Sequence, residues 1–402
     1  MNRPRDSNLF MGLMSGTSLD GVDAVLVDFS TTPRPLGHAF TPFAQAFKEE
    51  LLSLNAVSDN ELHRAALASN ALSNLYAQTC KDLLERLEIP AQHIRALGAH
   101  GQTIRHQPQA HDAWGYSSQL LSGHLLAELT DIDVIHDFRS RDIAAGGQGA
   151  PLVPAFHQYL FQSEKTLRVI LNIGGMSNVS ILAPIKTVPA ASTAPNSRFT
   201  VTGFDCGPGN VLMDLWCLKH TGLTYDKGGQ WAQGGHVNEA LLAQLLTEPF
   251  FHLPPPKSTG RDLFNASWLE THLTPRFERL SAQDVQATLC ALTAHSILQA
   301  IDACLKAPAH PSGSHEPMEL VVCGGGALNA TLMNALKSRA GLFSTLAKMR
   351  LLDSDALGCP VQQVEAFAFA WLARQRVLGL SANLPPVTGA KGPRVLGSWI
   401  QA

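Results

Sequence analysis

Leu9-Phe10-Met11-Gly12-Leu13-Met14 runs into Ser15-Gly16-Thr17-Ser18-Leu19-Asp20-Gly21 and out again through Val22-Asp23-Ala24-Val25-Leu26-Val27. Two apolar runs joined by a Gly/Ser/Thr bend read as a strand hairpin. The pattern recurs at Val169-Ile170-Leu171-Asn172-Ile173, then Gly174-Gly175-Met176-Ser177-Asn178, then Val179-Ser180-Ile181-Leu182. Small residues let backbone N–H groups and hydroxyls come close to an anion. Two such hairpins predict two facing phosphate clamps and a nucleotide-using enzyme. Their separation along the chain suggests a duplicated domain.

Around the hairpins, strand-like runs alternate with helical ones, which predicts an α/β protein. Leu72, Leu75, Tyr76, Thr79, Leu83 and Leu87 recur at helical spacing, as do Val285, Leu289, Leu292, Ile297, Ile301 and Leu305, and Val364, Phe367, Ala368, Trp371 and Leu372. Arg95–Ala99, Val134–His136 and Leu320–Cys323 read as short buried strands. Pro184–Ser197 and Ala307–Pro317 read as surface insertions. The chain has 402 residues, 45% hydrophobic and 16% charged, enough apolar material for one large or two medium domains. A net charge of −3 gives no reason to expect nucleic acid or a membrane surface as partner. No apolar run stands out as a membrane span, and the basic start is a poor signal peptide, so a cytoplasmic protein is expected. The seven cysteines form no C-x-x-C pair, which argues against a disulfide framework or zinc knuckle.

In the first bend, Gly16 and Gly21 open the backbone, Ser15, Thr17 and Ser18 offer hydroxyls, and Asp20 and Asp23 are carboxylates that could hold Mg²⁺ through water. The same residues also suit an ordinary polar turn, and no G-x-x-x-x-G-K-[ST] is present. In Gly203-Phe204-Asp205-Cys206-Gly207-Pro208-Gly209-Asn210, a carboxylate precedes a glycine bend and a helical stretch. Asp205 there is a candidate general base, with helix capping as the alternative. Gly324-Gly325-Gly326-Ala327-Leu328-Asn329 follows a strand and is expected to open a helix, with free N–H groups beside a ligand. Lys257 and Arg261 in Pro254–Asp262 could hold a phosphate or carboxylate, or form a solvated loop. His100-Gly101-Gln102-Thr103 and His136-Asp137-Phe138-Arg139 each follow a strand, where α/β proteins place ligands. Gly146–Pro151 reads as a flexible bend, a lid or hinge. Glu365 is either a helix N-terminal carboxylate or a substrate ligand.

Together these stretches resemble the anhydro-N-acetylmuramic acid kinase family. The resemblance rests on Met14–Asp23, His100–Thr103, Leu171–Asn178, Gly203–Asn210, Pro255–Arg261, Gly324–Asn329 and Glu365–Ala370, in that family's order, and runs from about Phe10 to about Gly397. It implies two ribonuclease-H-like domains of the actin/hexokinase/Hsp70 type flanking a nucleotide cleft. The first would span about 1–165 plus 366–402, the second about 166–365. It implies that ATP, water and 1,6-anhydro-N-acetylmuramic acid give N-acetylmuramic acid 6-phosphate and ADP, in cytoplasmic recycling of peptidoglycan. Carried residue by residue, it assigns the base to Asp205. ATP would be bound by Gly16, Thr17, Ser18, Leu19, Asp20, Gly21, Val22, Asp23, Gly174, Gly175, Asn178, Gly324, Gly325, Gly326 and Asn329. The sugar would be bound by His100, Gln102, Arg139 and Glu365. Mg²⁺ is expected as cofactor with its ligands unassigned, and a homodimer is expected. Cys206 stands where the family commonly has Thr, and Asp262 where it commonly has Glu. A kinase of an ordinary sugar hydroxyl and an actin-like scaffold are the competing readings.

Overall fold

Apolar periodicity sets the elements, and the computed structural model describes residues 7–185, 201–255, 257–273, 275–307 and 317–402. Most of both expected insertions, and Pro256, lie outside the described residues. The strands are β1 (Leu9–Met14), β2 (Gly21–Asp28), β3 (Arg34–Pro42), β4 (Ala96–Ala99), β5 (Gln102–Pro108), β6 (Gly115–Leu120), β7 (Val134–His136), β8 (Leu167–Ile173), β9 (Met176–Leu182), β10 (Val201–Pro208), β11 (Met318–Cys323), β12 (Arg350–Asp353) and β13 (Ser398–Ile400). The chain divides into two compact units, Met1–Leu160 with Gln363–Ala402, and Phe161–Gln362.

In the first unit the sheet order is β13-β7-β4-β1-β2-β3. β1 pairs antiparallel with β2, and β2 with β3, while β1, β4 and β7 run parallel. β1 is buried on both faces, which is why it reads as a continuous apolar run rather than an alternating one. Gly12 of β1 and Gly98 of β4 lie side by side in the parallel register. A Cβ at either would overlap backbone of the Val364–Val377 helix, at Ala366 or Phe369. Two paired glycines therefore let that Ala-rich helix lie directly on the sheet. The Glu61–Arg86 helix buries Leu72, Tyr76, Cys80 and Leu83 in a core shared with Met11, Leu13, Val22 and Leu97.

In the second unit the order is β10-β9-β8-β11-β12, with β8, β9 and β10 antiparallel and β8, β11 and β12 parallel. Three antiparallel strands followed by two parallel ones is also the order β3-β2-β1-β4-β7 of the first unit. The Ala282–Lys306 helix is long and apolar enough by length and composition to cross a membrane, though polar residues such as Gln286 and Asp302 break its apolar runs. However, 78% of its most apolar window is buried within the structure, as befits a core helix. It packs on β10 and on the Val211–Thr221 and Ala330–Arg339 helices.

Candidate active site

In the first unit the hairpin bend closes with the Leu19 N–H donating to the Gly16 carbonyl at 3.1 Å. Leu19 takes a left-handed backbone (φ 60°) and buries its side chain, as does Val22, so these two offer a ligand only backbone groups. Thr17, Ser18 and Asp20 are exposed. Gly21 is buried, and a Cβ there would overlap the Thr41 carbonyl. The Asp23 carboxylate is 2.7 Å from Nε2 of His38. Ser15 is buried, with its hydroxyl 2.9 Å from the Tyr76 hydroxyl and donating to the Gly101 carbonyl at 3.1 Å. Its role is to hold the bend rather than to face a ligand.

The residues expected to bind sugar join this bend in one network. Gln102 Nε2 donates to the Gly16 carbonyl at 3.1 Å, while its buried Oε1 finds no partner among the described residues. His100 Nε2 lies 2.9 Å from Nη2 of Arg139, and Nδ1 lies 3.3 Å from the Ser15 carbonyl. A guanidinium only donates, so Nε2 accepts and Nδ1 carries the proton. Burial, with the Arg139 charge adding to it, pushes the His100 pKa down to about 3, so this neutral tautomer persists at physiological pH. Burial lowers the Arg139 pKa to about 10, opposed by the charges of Glu365 and Asp142, and the side chain remains cationic. Glu365 sits in the first turn of its helix, the first of the two alternatives read from sequence, and its charge acts on Arg139.

The Gly146–Pro151 bend is not the free hinge expected from its glycines. Arg139 Nη1 donates to the Gly149 carbonyl at 2.8 Å, and the Gly149 N–H donates to Asp142 Oδ2 at 2.8 Å. Asp142, fully buried, also accepts at Oδ1 from Asn383 Nδ2 (2.6 Å) and the Thr388 hydroxyl (2.8 Å). Sequence reasoning missed Asp142, because a single Asp in an ordinary helical stretch carries no signal.

In the second unit the Gly174–Gly175 turn is held from behind. Gly209 and Val211 donate N–H to the Gly175 carbonyl at 2.8 and 3.1 Å, and Asn210 to that of Gly174 at 2.8 Å. The start of the Val211–Thr221 helix is thus spent on the turn. The Gly175 N–H has no partner among the described residues. Gly326 packs against Ile173, the last residue of β8. The Gly324 turn does not open a helix directly: Gly325–Leu328 is a 3₁₀ turn, and Asn329 caps the Ala330–Arg339 helix by accepting the Leu332 N–H at 3.0 Å. The Asn329 side-chain oxygen is therefore committed to the cap.

Asp205 lies opposite Asn178, and the β10–β9 register shifts between Asp205 and Gly207. The extra residue, Cys206, is a bulge, a device that re-aims neighbouring side chains. Asp205 Oδ2 accepts the Ser258 hydroxyl at 2.8 Å and the Thr259 N–H at 3.0 Å. Oδ1 accepts no hydrogen bond among the described residues. Burial raises the Asp205 pKa above its usual value, opposed by the Thr259 N–H, the Ser258 hydroxyl and the Lys257 charge. This is a carboxylate anchored on one oxygen and more basic than usual on the other, the arrangement that suits proton abstraction. The Cys206 thiol is fully buried, and burial pushes its pKa far up, so it is inert filling. Lys257 Nζ donates to the Phe250 carbonyl at 3.2 Å and lies 4.7 Å from the centre of the Phe250 ring.

The first unit carries a glycine bend and the second a glycine turn and a carboxylate bonded on one oxygen, each on an α/β frame, features suited to an enzyme of the group-transfer kind. The family model described as "AnmK: Anhydro-N-acetylmuramic acid kinase" matches residues 8–402. Curated proteins named "Anhydro-N-acetylmuramic acid kinase" are 51% identical in Albidiferax ferrireducens (98% of this chain, 99% of that protein), 51% in Ralstonia nicotianae (98% and 97%) and 50% in Nitrosomonas europaea (97% and 98%). The chain belongs to the anhydro-N-acetylmuramic acid kinase family. Among solved structures it is similar to the activator of the 2-hydroxyisocaproyl-CoA dehydratase from Clostridium difficile with bound ADPNP (TM-score 0.44, 12% identity, 92% of this chain and 96% of that one), a likeness too low to define a shared fold.

Proposed function

We propose that this chain opens 1,6-anhydro-N-acetylmuramic acid with water and phosphorylates O6 from ATP, giving N-acetylmuramic acid 6-phosphate and ADP in peptidoglycan recycling. The kinase activity and its substrate follow from family membership over nearly the whole chain. The roles of individual residues are our assignment. The observation that carries them is Asp205, bonded on Oδ2 and without a hydrogen bond on Oδ1 among the described residues.

In the anhydro sugar O6 is tied to C1, so no free 6-hydroxyl is present to attack phosphorus. Asp205 takes a proton from water, the water oxygen bonds C1, and the C1–O6 bond breaks. O6 then bonds the γ-phosphorus as the bond to ADP breaks. The carboxylate's role resembles the base of an inverting glycosidase. The remaining demand is charge neutralisation and positioning. The Gly16–Asp23 bend and the Gly174–Gly175 turn serve phosphates through backbone N–H groups and hydroxyls. The Gly324–Gly326 turn serves the nucleoside end, and the network of His100, Gln102, Arg139 and Glu365 serves the sugar.

No cluster of three or more metal-ligating side chains occurs among the described residues. That suits Mg²⁺ carried on ATP, which needs only one or two protein carboxylates beside phosphate oxygens. Asp23 is engaged with His38, which leaves Asp20, exposed in the bend, to hold the ion through water. When bound, the ion neutralises phosphate charge. Support for ribonuclease-H-like units comes from the strand order shared by the two sheets. A cytoplasmic location and a homodimer belong to the same reading.

ADP release from Mg·ATP tests the proposal, measured with the anhydro sugar, N-acetylmuramic acid and glucose in turn. Turnover with the anhydro sugar alone is expected. Turnover with a control sugar and none with the anhydro sugar overturns the assignment.

A further inference from the structure

One motif remains unused by the proposed reaction: the loop that orders Asp205 goes on to present Arg261. Its backbone is fixed on both sides. The Asp205 N–H donates to the Lys257 carbonyl at 3.1 Å, and Ser258 and Thr259 donate to the Asp205 carboxylate. Beyond Arg261, Asn265 Nδ2 donates to the carbonyls of Arg261 (3.2 Å) and Asp262 (2.9 Å), while Asn265 Oδ1 caps the Ala266–His272 helix through the Trp268 N–H. The Phe264 N–H donates to the Gly260 carbonyl at 3.1 Å.

Within this fixed loop the Arg261 side chain is exposed and makes no hydrogen bond or ion pair among the described residues. It extends to the Gly174–Gly175 turn, where Nη2 lies 3.6 Å from the point a Gly175 Cβ would occupy. Among the described residues the Gly175 N–H is unpartnered as well, and the buried Thr259 Oγ1 has no hydrogen-bond partner. An uncommitted guanidinium, a free backbone donor and an unpaired hydroxyl thus accompany one glycine turn and the Asp205 loop. Lys257, the other cation of the loop, turns toward the Phe250 carbonyl and ring. Guanidinium groups bind phosphate through two parallel N–H donors.

We propose that Arg261 grips the terminal phosphate of the nucleotide at the Gly174–Gly175 turn and is a further catalytic residue of this chain. The inference rests on the nucleotide-using part of the function proposed above. Held there, the guanidinium neutralises the phosphoryl oxygens during transfer, and the Asp205 loop ties that contact to the base.

The test is the affinity of Arg261→Ala and Arg261→Lys for the non-hydrolysable triphosphate analogue AMPPNP and for ADP. Both are measured by calorimetry with Mg²⁺ and without sugar, alongside kcat and the sugar KM. A grip on the terminal phosphate weakens AMPPNP about tenfold or more in Arg261→Ala, leaves ADP within about twofold, and lowers kcat, with Arg261→Lys between the two. Thermal midpoints matching the parent certify both variants as folded, as expected for an exposed side chain. Equal losses for both nucleotides, or none, overturn the proposal. So does a raised sugar KM with unchanged nucleotide binding, which would make Arg261 a reader of the sugar's carboxylate. Because binding is read without sugar, selective loss of AMPPNP in a protein that fails to turn over the anhydro sugar would sink the substrate assignment and leave Arg261 in place.

Discussion

Asp205 shows how much one side chain's surroundings decide. Burial raises the Asp205 pKa, and the Thr259 N–H and Ser258 hydroxyl restrain that rise. Asp205→Asn keeps the volume and removes the basic oxygen. ADP-release kinetics should show kcat lowered by about 10²–10⁴, while calorimetry shows sugar binding kept within a few-fold. Turnover within a few-fold of the parent would remove Asp205 from the base role. The base must be ionised to act, so kcat/KM falls as pH drops through its raised pKa. Ser258→Ala deletes a bond that lowers that pKa, and the acid limb of the pH profile should move to higher pH. A limb that stays in place would show that another group sets it. His100, with its pKa near 3, contributes nothing to the limb in the physiological range.

At the scale of elements, the Val364–Val377 helix lies on β1 and β4 because Gly12 and Gly98 remove the side chains between them. In Gly12→Ala the new methyl meets helix backbone, which cannot swing aside as a side chain can. A loss of about 1–3 kcal/mol or more is expected by denaturant unfolding. Gly341→Ala, with nothing near its Cβ position, should stay within about 0.5 kcal/mol. Asp142 ties the Arg139–Gly149 segment to the returning C-terminal segment at Asn383 and Thr388. Asp142→Ala leaves those buried donors unpaired and should cost on the order of 3 kcal/mol. It should also raise the sugar KM through the Gly149 contact of Arg139. Unchanged stability would mean that the segment is held by other contacts.

Elements buried on both faces announce themselves in sequence, and β1, β4, β8 and β11 are plain for that reason. β3 is not, since of Arg34–Pro42 only Ala39 is buried and the edge strand carries no apolar pattern. Glycines mislead in the other direction. Gly146–Pro151 looks mobile as a string of letters and is pinned by a carboxylate several residues upstream. Within the site, the chemistry-bearing residues were legible where several small or charged residues cluster, as around Asp205 and the two hairpins. Commitments were not: nothing in the spelling of Lys257 and Arg261 says that one is spent on carbonyl groups and the other left free. Phe250 holds Lys257 and the Gly175 turn lies beside Arg261, and only the folded backbone brings them there.

At the scale of the whole molecule, the two hairpins begin sheets with one strand order, three antiparallel then two parallel. Sequence suggested a duplication from the hairpins alone, and the remaining strands are too short and too different in residues to extend it. A repeated sheet gives two glycine turns to one chain, while Asp205, the proposed base, lies in the second unit. That asymmetry is what the proposed chemistry needs, one attacking water and one transferred phosphoryl group. The most direct measurement is turnover of the anhydro sugar with ATP in ¹⁸O-labelled water, quenched early and compared with unlabelled product held in the same water to subtract anomeric exchange. The account predicts label at C1 of N-acetylmuramic acid 6-phosphate, above the exchange control, and none in the oxygen bridging C6 to phosphorus. Product with no label at C1 beyond that control would contradict it.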